Sequence, residues 1–264
     1  MNKAQKLLAT AKKYNKSEDM LKDIYGIDSK TDYDAIVIAP AWTPEKLLIR
    51  TDAKFQTIVR HAYFSSYHVQ YEGKSLAWIQ CASGAGNLID SLLCLADSVV
   101  DKIIFVGAVG ALKEDIMLGE LATPLESYSY EGGSLYLQDI IDKKAFGKTV
   151  IPSNQDFINE VIEKAQKKGI DLKSRRVYCT DSIFCEYSHL DFIKSTGAEL
   201  IEMEAASFYN CINIMDKKGI ALLCVSDNSA SGISLVARSE AETERFHEAR
   251  EINIPELIKI ICEM

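Results

Sequence analysis

No run of apolar residues in this chain approaches the ~20 needed to cross a membrane. The opening MNKAQKLLATAKKYNK also lacks the unbroken apolar core of a secretory signal. Neither a membrane-spanning nor an exported protein is expected. The seven cysteines, at 81, 94, 179, 185, 211, 224 and 262, are odd in number and none is paired at CxxC spacing. A disulfide framework or zinc knuckle is not indicated. Several lie inside apolar runs, as Cys224 does, the pattern of buried reduced thiols, which points to a reducing, cytoplasmic compartment. His61, His68, His189 and His247 show no HExxH or paired spacing, so no metal site is expected. Positive charge is in deficit, 30 basic against 38 acidic residues for a net charge of −8. Such a surface repels phosphate backbones and argues against nucleic-acid binding, although one local cationic pocket suffices for a small phosphorylated ligand. Internal repeats, low-complexity tracts and linkers are absent as well.

What the sequence does hold is an α/β pattern. A chain of 264 residues, 47% hydrophobic and 26% charged, can bury a large core as one domain over 1–264. Leu7, Leu8, Ala11, Tyr14, Leu21 and Ile24 follow helical spacing, making residues 1–30 an N-terminal helical extension. Short apolar runs of buried-strand type stand at 35–39, 76–82, 103–106, 176–179 and 220–225. Helical patterns at 87–100, 154–168 and 199–215 separate most of them, and Pro255 opens a last helix. Alternating strands and helices predict a largely parallel sheet covered on both faces. The stretch 120–136 reads as extended, which makes the sheet mixed.

Three constellations can carry chemistry. Ser83-Gly84-Ala85-Gly86-Asn87 joins a strand to a helix, where backbone N–H groups and the helix dipole favour an anion. It matches a dinucleotide fingerprint only in part, since Ile89 replaces the third glycine. It is not a nucleophile elbow either, because Cys81 stands where that motif needs glycine. A second glycine turn is expected over 107–112. Third, Glu202-Met203-Glu204-Ala205-Ala206 lies in an apolar helical pattern, and Ser226-Asp227-Asn228 ends a strand. Carboxylates in apolar settings need partners or a ligand, and open α/β sheets bind ligands beyond the carboxyl ends of their strands.

In this order, SGAG at 83–86, KIIFVGAVGAL at 102–112, IEMEAA at 201–206, VSDN at 225–228 and ERF at 244–246 resemble the nucleoside phosphorylase-I family. The resemblance spans about residues 34–260, and the EMEAA and VSDN pair is its specific part. It implies a three-layer α/β/α sandwich around a mixed, largely parallel sheet, and a homo-oligomer, either a dimer or a trimer of dimers. Its substrate would be a nucleoside, more in keeping with a purine, cleaved with inorganic phosphate as co-substrate and without an organic cofactor. Glu204 would accept the ribose 2′- and 3′-hydroxyls, with Met203 and Glu202 beside the sugar. Asp227 would face N7 of the leaving base, assisted by Arg245. Phe184, or Ile183 one residue earlier, would stack on the base. Gly84, Gly86, Lys46, Arg60 and Ala108 would form the phosphate or nucleophile pocket, Arg60 being supplied to a neighbouring subunit.

The departures from the family pattern lie in that pocket. Its usual arginine is Phe105 here, its hydroxyl is Ala108, and Pro40-Ala-Trp-Thr-Pro-Glu-Lys46 replaces an arginine-bearing loop. Each charged hydrogen bond to phosphate contributes roughly 1.5–3 kcal/mol. Two alternatives therefore stand beside phosphorolysis: a hydrolase of the same fold, and a protein that binds a nucleoside without turnover. The nucleosidases carry a water-activating glutamate after the first strand, and Glu45 is the nearest carboxylate to that place.

Overall fold

Ala35–Ile38 forms a strand, β1, buried at all four residues because it has parallel partners on both edges. In the computed structural model, which describes residues 1–234 and 238–264, nine further strands join it. They are β2 (Lys54–Arg60), β3 (Ser65–Tyr71), β4 (Lys74–Gln80), β5 (Lys102–Ala111), β6 (Leu121–Tyr130), β7 (Lys148–Val150), β8 (Leu172–Thr180), β9 (Leu200–Glu202) and β10 (Lys218–Asn228). The order β2-β3-β4-β1-β5 makes an open sheet. Beyond β1, strand β5 pairs with β10 along its length and with β9 at Gly110 and Ala111. Because β10 pairs with β6, β6 with β8 and β8 with β9, five strands close into a ring. The sheet is mixed: β1, β4, β5 and β10 run parallel, and antiparallel pairs occupy the edge hairpin and the ring closures.

Helices cover both sides of this sheet. α1 (Lys3–Asn15), α4 (Ala85–Leu93) and α8 (Ala205–Met215) pack together, while α5 (Gln155–Lys167) and α10 (Ile254–Cys262) form another group. Shorter helices are α2 (Met20–Tyr25), α3 (Pro44–Leu47), α6 (Ile183–Glu186) and α7 (Leu190–Ser195), and α9 (Glu240–Glu248) precedes α10. The N-terminal segment is docked, not loose: Ala4 and Leu8 are buried, and the Asn2 amide donates to the Met215 carbonyl at 2.6 Å. It forms two helices, because the chain turns left-handed at Lys16 and Asp19 caps a new start. No helix among the described residues is long and apolar enough to cross a membrane.

Two expectations fail in ways that build the site. The helix expected from 199 begins only at Ala205, because Leu200–Glu202 pairs as β9 with β8 and β5. No turn forms at 107–112; β5 runs straight through to Ala111. Its glycines are there for closeness. A Cβ on Gly107 would stand 3.0 Å from the Phe105 ring, and one on Gly110 would stand 3.0 Å from Asp227 Oδ2. The β2–β3 hairpin was not legible in the sequence, since exposed β2 carries no apolar pattern to read.

Candidate active site

At the ring's mouth, β9 ends at Glu202 and α8 begins, so one carboxylate is spent on the junction. One Glu202 oxygen accepts the N–H groups of Glu204 at 2.6 Å and Ala205 at 2.8 Å. The other accepts the Cys179 thiol at 2.7 Å, and Cys179 Sγ accepts the Ala206 N–H at 3.1 Å. Glu202 touches the cavity, and both its oxygens accept hydrogen bonds that build this cap. Burial first, then the nearby charge of Glu204, push its carboxyl up.

The capped turn aims Glu204 inward. Its Oε1 accepts the Gly84 N–H at 2.5 Å, and the Met203 backbone also acts on the carboxyl. Gly84 has φ of +101°, a conformation that favours glycine, and that conformation presents its N–H. That N–H was expected to meet an anionic ligand; it holds Glu204 instead. Glu204 is buried, and burial raises its carboxyl against the opposing effect of the Gly84 N–H.

Across the cavity, Asp227 sits at the end of β10 in register with Gly110. The Ser226 hydroxyl donates to its Oδ1 at 2.6 Å. Burial pushes the Asp227 carboxyl up, opposed by Ser226 and by the charge of Arg238. The cavity of about 180 Å³ between these acids is lined by Ser83, Ala108, Val109, Gly110, Ile201, Met203, Glu204, Ser226 and Asp227. Pro40, Ala41, Ile183, Glu186 and Tyr187 also line it.

Glu204, Met203, Asp227, Ile183 and Ala108 are thus brought together as the sequence suggested. Other expected residues are not. Phe184 is 88% exposed, because α6 turns Ile183 and Glu186, three apart, to the cavity and Phe184 outward. Arg245 lies exposed on α9, with its backbone carbonyl against Gly119; Arg238 is the arginine whose charge reaches Asp227. The Arg238 guanidinium lies 4.6 Å over the Phe246 ring, and its Nε is buried without a hydrogen-bond partner among the described residues. Lys46 is exposed on α3, and Gly86 is spent in the first turn of α4, both outside the lining. Arg60 is exposed on edge strand β2, 4.0 Å from Glu45. Phe105 is core, its ring 5.5 Å from Phe208. Among the described residues, no lysine, arginine or histidine lines the cavity.

Glu186 and Arg238 went unread in the sequence, and Ser226 was read only as a neighbour of Asp227. The signal for Glu186 was its i, i+3 spacing from Ile183 in TDSIFCEY, masked by the stacking residue expected at 184.

The family model of the phosphorylase superfamily matches residues 35–264. The chain belongs to that superfamily. A purine nucleoside phosphorylase of the DeoD type from Colwellia psychrerythraea is 23% identical over 211 residues, 78% of this chain and 85% of the relative. Uridine phosphorylase from Vibrio fischeri superposes with a TM-score of 0.73 at 13% identity, covering 90% of this chain and 95% of that one. The 5′-methylthioadenosine/S-adenosyl homocysteine nucleosidase of Campylobacter jejuni gives 0.68 at 17% identity, covering 88% and 99%. Phosphorylases and a nucleosidase thus share this fold.

Proposed function

We propose that this protein cleaves the N-glycosidic bond of a purine nucleoside as a pentosyltransferase of the nucleoside phosphorylase type. What carries the reading is one cavity lined by Glu204, Met203 and Asp227 together. A carboxylate fixed by Gly84 accepts the two ribose hydroxyls while positive charge grows on the sugar. Negative charge grows on the leaving base, and a carboxyl that holds its proton more strongly than usual can donate it there. Asp227 has that environment. The purine preference rests on Asp227 facing N7 and on the name of the DeoD-type relatives.

Phosphate would enter beside Ala108. Its cation would come from outside this chain's own cavity, and we take Arg60, exposed on the edge strand, as the candidate to supply it to a neighbouring copy in a homo-oligomer. A second reading has its own observation: Phe105 is sealed in the core and no cationic side chain among the described residues lines the cavity. A dianion among four carboxyl groups is poorly solvated, whereas water is not penalised, so hydrolysis is the alternative outcome.

Base release from a nucleoside panel, with and without phosphate, tests both. Release only with phosphate supports phosphorolysis, equal release without it supports hydrolysis, and no release from any nucleoside overturns both. Asp227→Ala should lower turnover by roughly 100-fold or more while nucleoside binding persists; unchanged turnover removes Asp227 from the reaction.

A further inference from the structure

Glu204 is aimed by two helices that meet at the cavity. α4 starts directly after Gly84, whose N–H holds the carboxylate at 2.5 Å, and α8 starts directly after Glu204 itself. The bond joins the near ends of the two helices, so it stays short only while their far ends stay in place. The helices span about 14 and 16 Å, and a tilt of about 4° moves the near end by about 1 Å. A displacement of that size at a reacting group costs roughly 100-fold in rate.

What fixes the far ends lies outside the segment matched to the superfamily, which begins at residue 35. α1 packs on α4, on α8 and on the 3₁₀ turn Cys94–Asp97 that continues α4. Ala4 and Leu8, one helical turn apart, are its buried face. At its start, the Asn2 amide donates to the carbonyl of Met215, the last residue of α8, at 2.6 Å. In its last turn, the Lys12 ammonium reaches Asp97 at 2.7 Å. The two anchors stand about 15 Å apart along the α1 axis, so one rigid helix ties the end of α8 to the end of α4. A third tie follows on α2, where the Tyr25 and Ser91 hydroxyls meet at 2.7 Å in the interior of α4. Apolar burial has no direction, whereas hydrogen bonds at both ends of a helix fix its length and its heading.

We infer that α1 is a cross-brace for the cavity, with Leu8 and Asn2 as positioning residues that hold Gly84 and Glu204 in hydrogen-bond register. That Glu204 grips a sugar belongs to the proposed function, on which this step rests. The brace itself is read from the Gly84–Glu204 bond.

Two measurements keep those claims apart. Hydrogen exchange at the Gly84 amide reports the bond with no ligand present. Calorimetric affinity for inosine relative to free hypoxanthine reports the sugar end. Both are made on the full chain as wild type, Leu8→Ala, Leu8→Met and Asn2→Ala, with Leu257→Ala on the buried face of α10 as the control for general loss of stability. Leu8→Ala should speed Gly84 exchange at least about tenfold beyond the control and weaken inosine about tenfold relative to hypoxanthine. Leu8→Met keeps the volume and should stay within about twofold of wild type. Asn2→Ala removes one end of the brace and should show both changes to a smaller degree; it carries the test if Leu8→Ala does not fold. Gly84 exchange that responds to the α1 variants no more than to Leu257→Ala overturns the brace, and so does faster exchange with the inosine preference unchanged. Faster exchange in the variants of a protein that binds no inosine supports the brace and overturns the nucleoside reading.

Discussion

The thiol of Cys179 donates to Glu202 across 2.7 Å, joining the end of β8 to the cap that starts α8. Because the same sulfur accepts the Ala206 N–H, it links two elements that set the direction of Glu204. Cys179→Ala should cost about 1–3 kcal/mol, because a buried carboxylate oxygen loses its donor. Cys179→Ser keeps an O–H in that place and should recover most of the loss. Urea melts of the three proteins check this, and equal midpoints for alanine and serine would remove the hydrogen bond from the account. Loss of the cap should also raise KM for the nucleoside more than it lowers kcat.

The same burial disfavours the thiolate form of six cysteines. It pushes Cys81, Cys94, Cys224 and Cys262 up to about 12, and Cys179 and Cys211 upward as well. Cys185 alone of the seven is exposed. A chromogenic disulfide reagent at neutral pH should titrate one fast thiol in the native protein and all seven in denaturant. Two or more fast native thiols would contradict the packing described for these residues.

The strands that position the site were legible because burial on both faces writes itself as unbroken apolar runs, as in 35–39 and 220–225. The carboxylates were legible because Glu204 and Asp227 stand in apolar surroundings. What stayed hidden is three-dimensional partnership. Nothing in the sequence tells that Glu202 is consumed by Cys179, 23 residues earlier, or that Gly84 spends its N–H on Glu204. Nor does it tell which face of the one-turn helix α6 looks inward, which is why Phe184 was favoured and Glu186 was not. Arg245 and Arg238 differ in the same way. Both follow Asp227 closely in the chain, and only packing on Phe246 sets Arg238 near it.

Gly110 is where the fold admits Asp227. An added Cβ would lie 3.0 Å from Asp227 Oδ2 and 3.2 Å from the Ile201 methyl. Gly110→Ala should destabilise the protein by about 1–3 kcal/mol and displace the aspartate. Turnover should fall at least tenfold while ribose-side binding through Glu204 changes little. Steady-state kinetics with a calorimetric titration separate the two effects. Equal losses in both would place Gly110 in general packing rather than in the placement of Asp227.

Glu186 gives the fold a pH dependence of fixed sign. Burial and the Asp227 charge raise its carboxyl from the ordinary 4.5 to about 7. Between those values the folded protein holds a proton that the unfolded chain has released. Stability from this group is therefore fully present below about pH 4.5, declines as pH rises towards 7, and is level above it. Asp227, Glu202 and Glu204 are raised too and slope the same way, so the wild-type curve alone does not isolate Glu186. Glu186→Gln does. It removes the titrating proton while keeping the shape, so the variant should match the wild type at about pH 4.5 and exceed its stability at about pH 8. Urea denaturation at both values measures the gap. A gap that stays constant, or that opens towards acid, would mean that a hydrogen-bonding partner, and not burial, governs the Glu186 carboxyl.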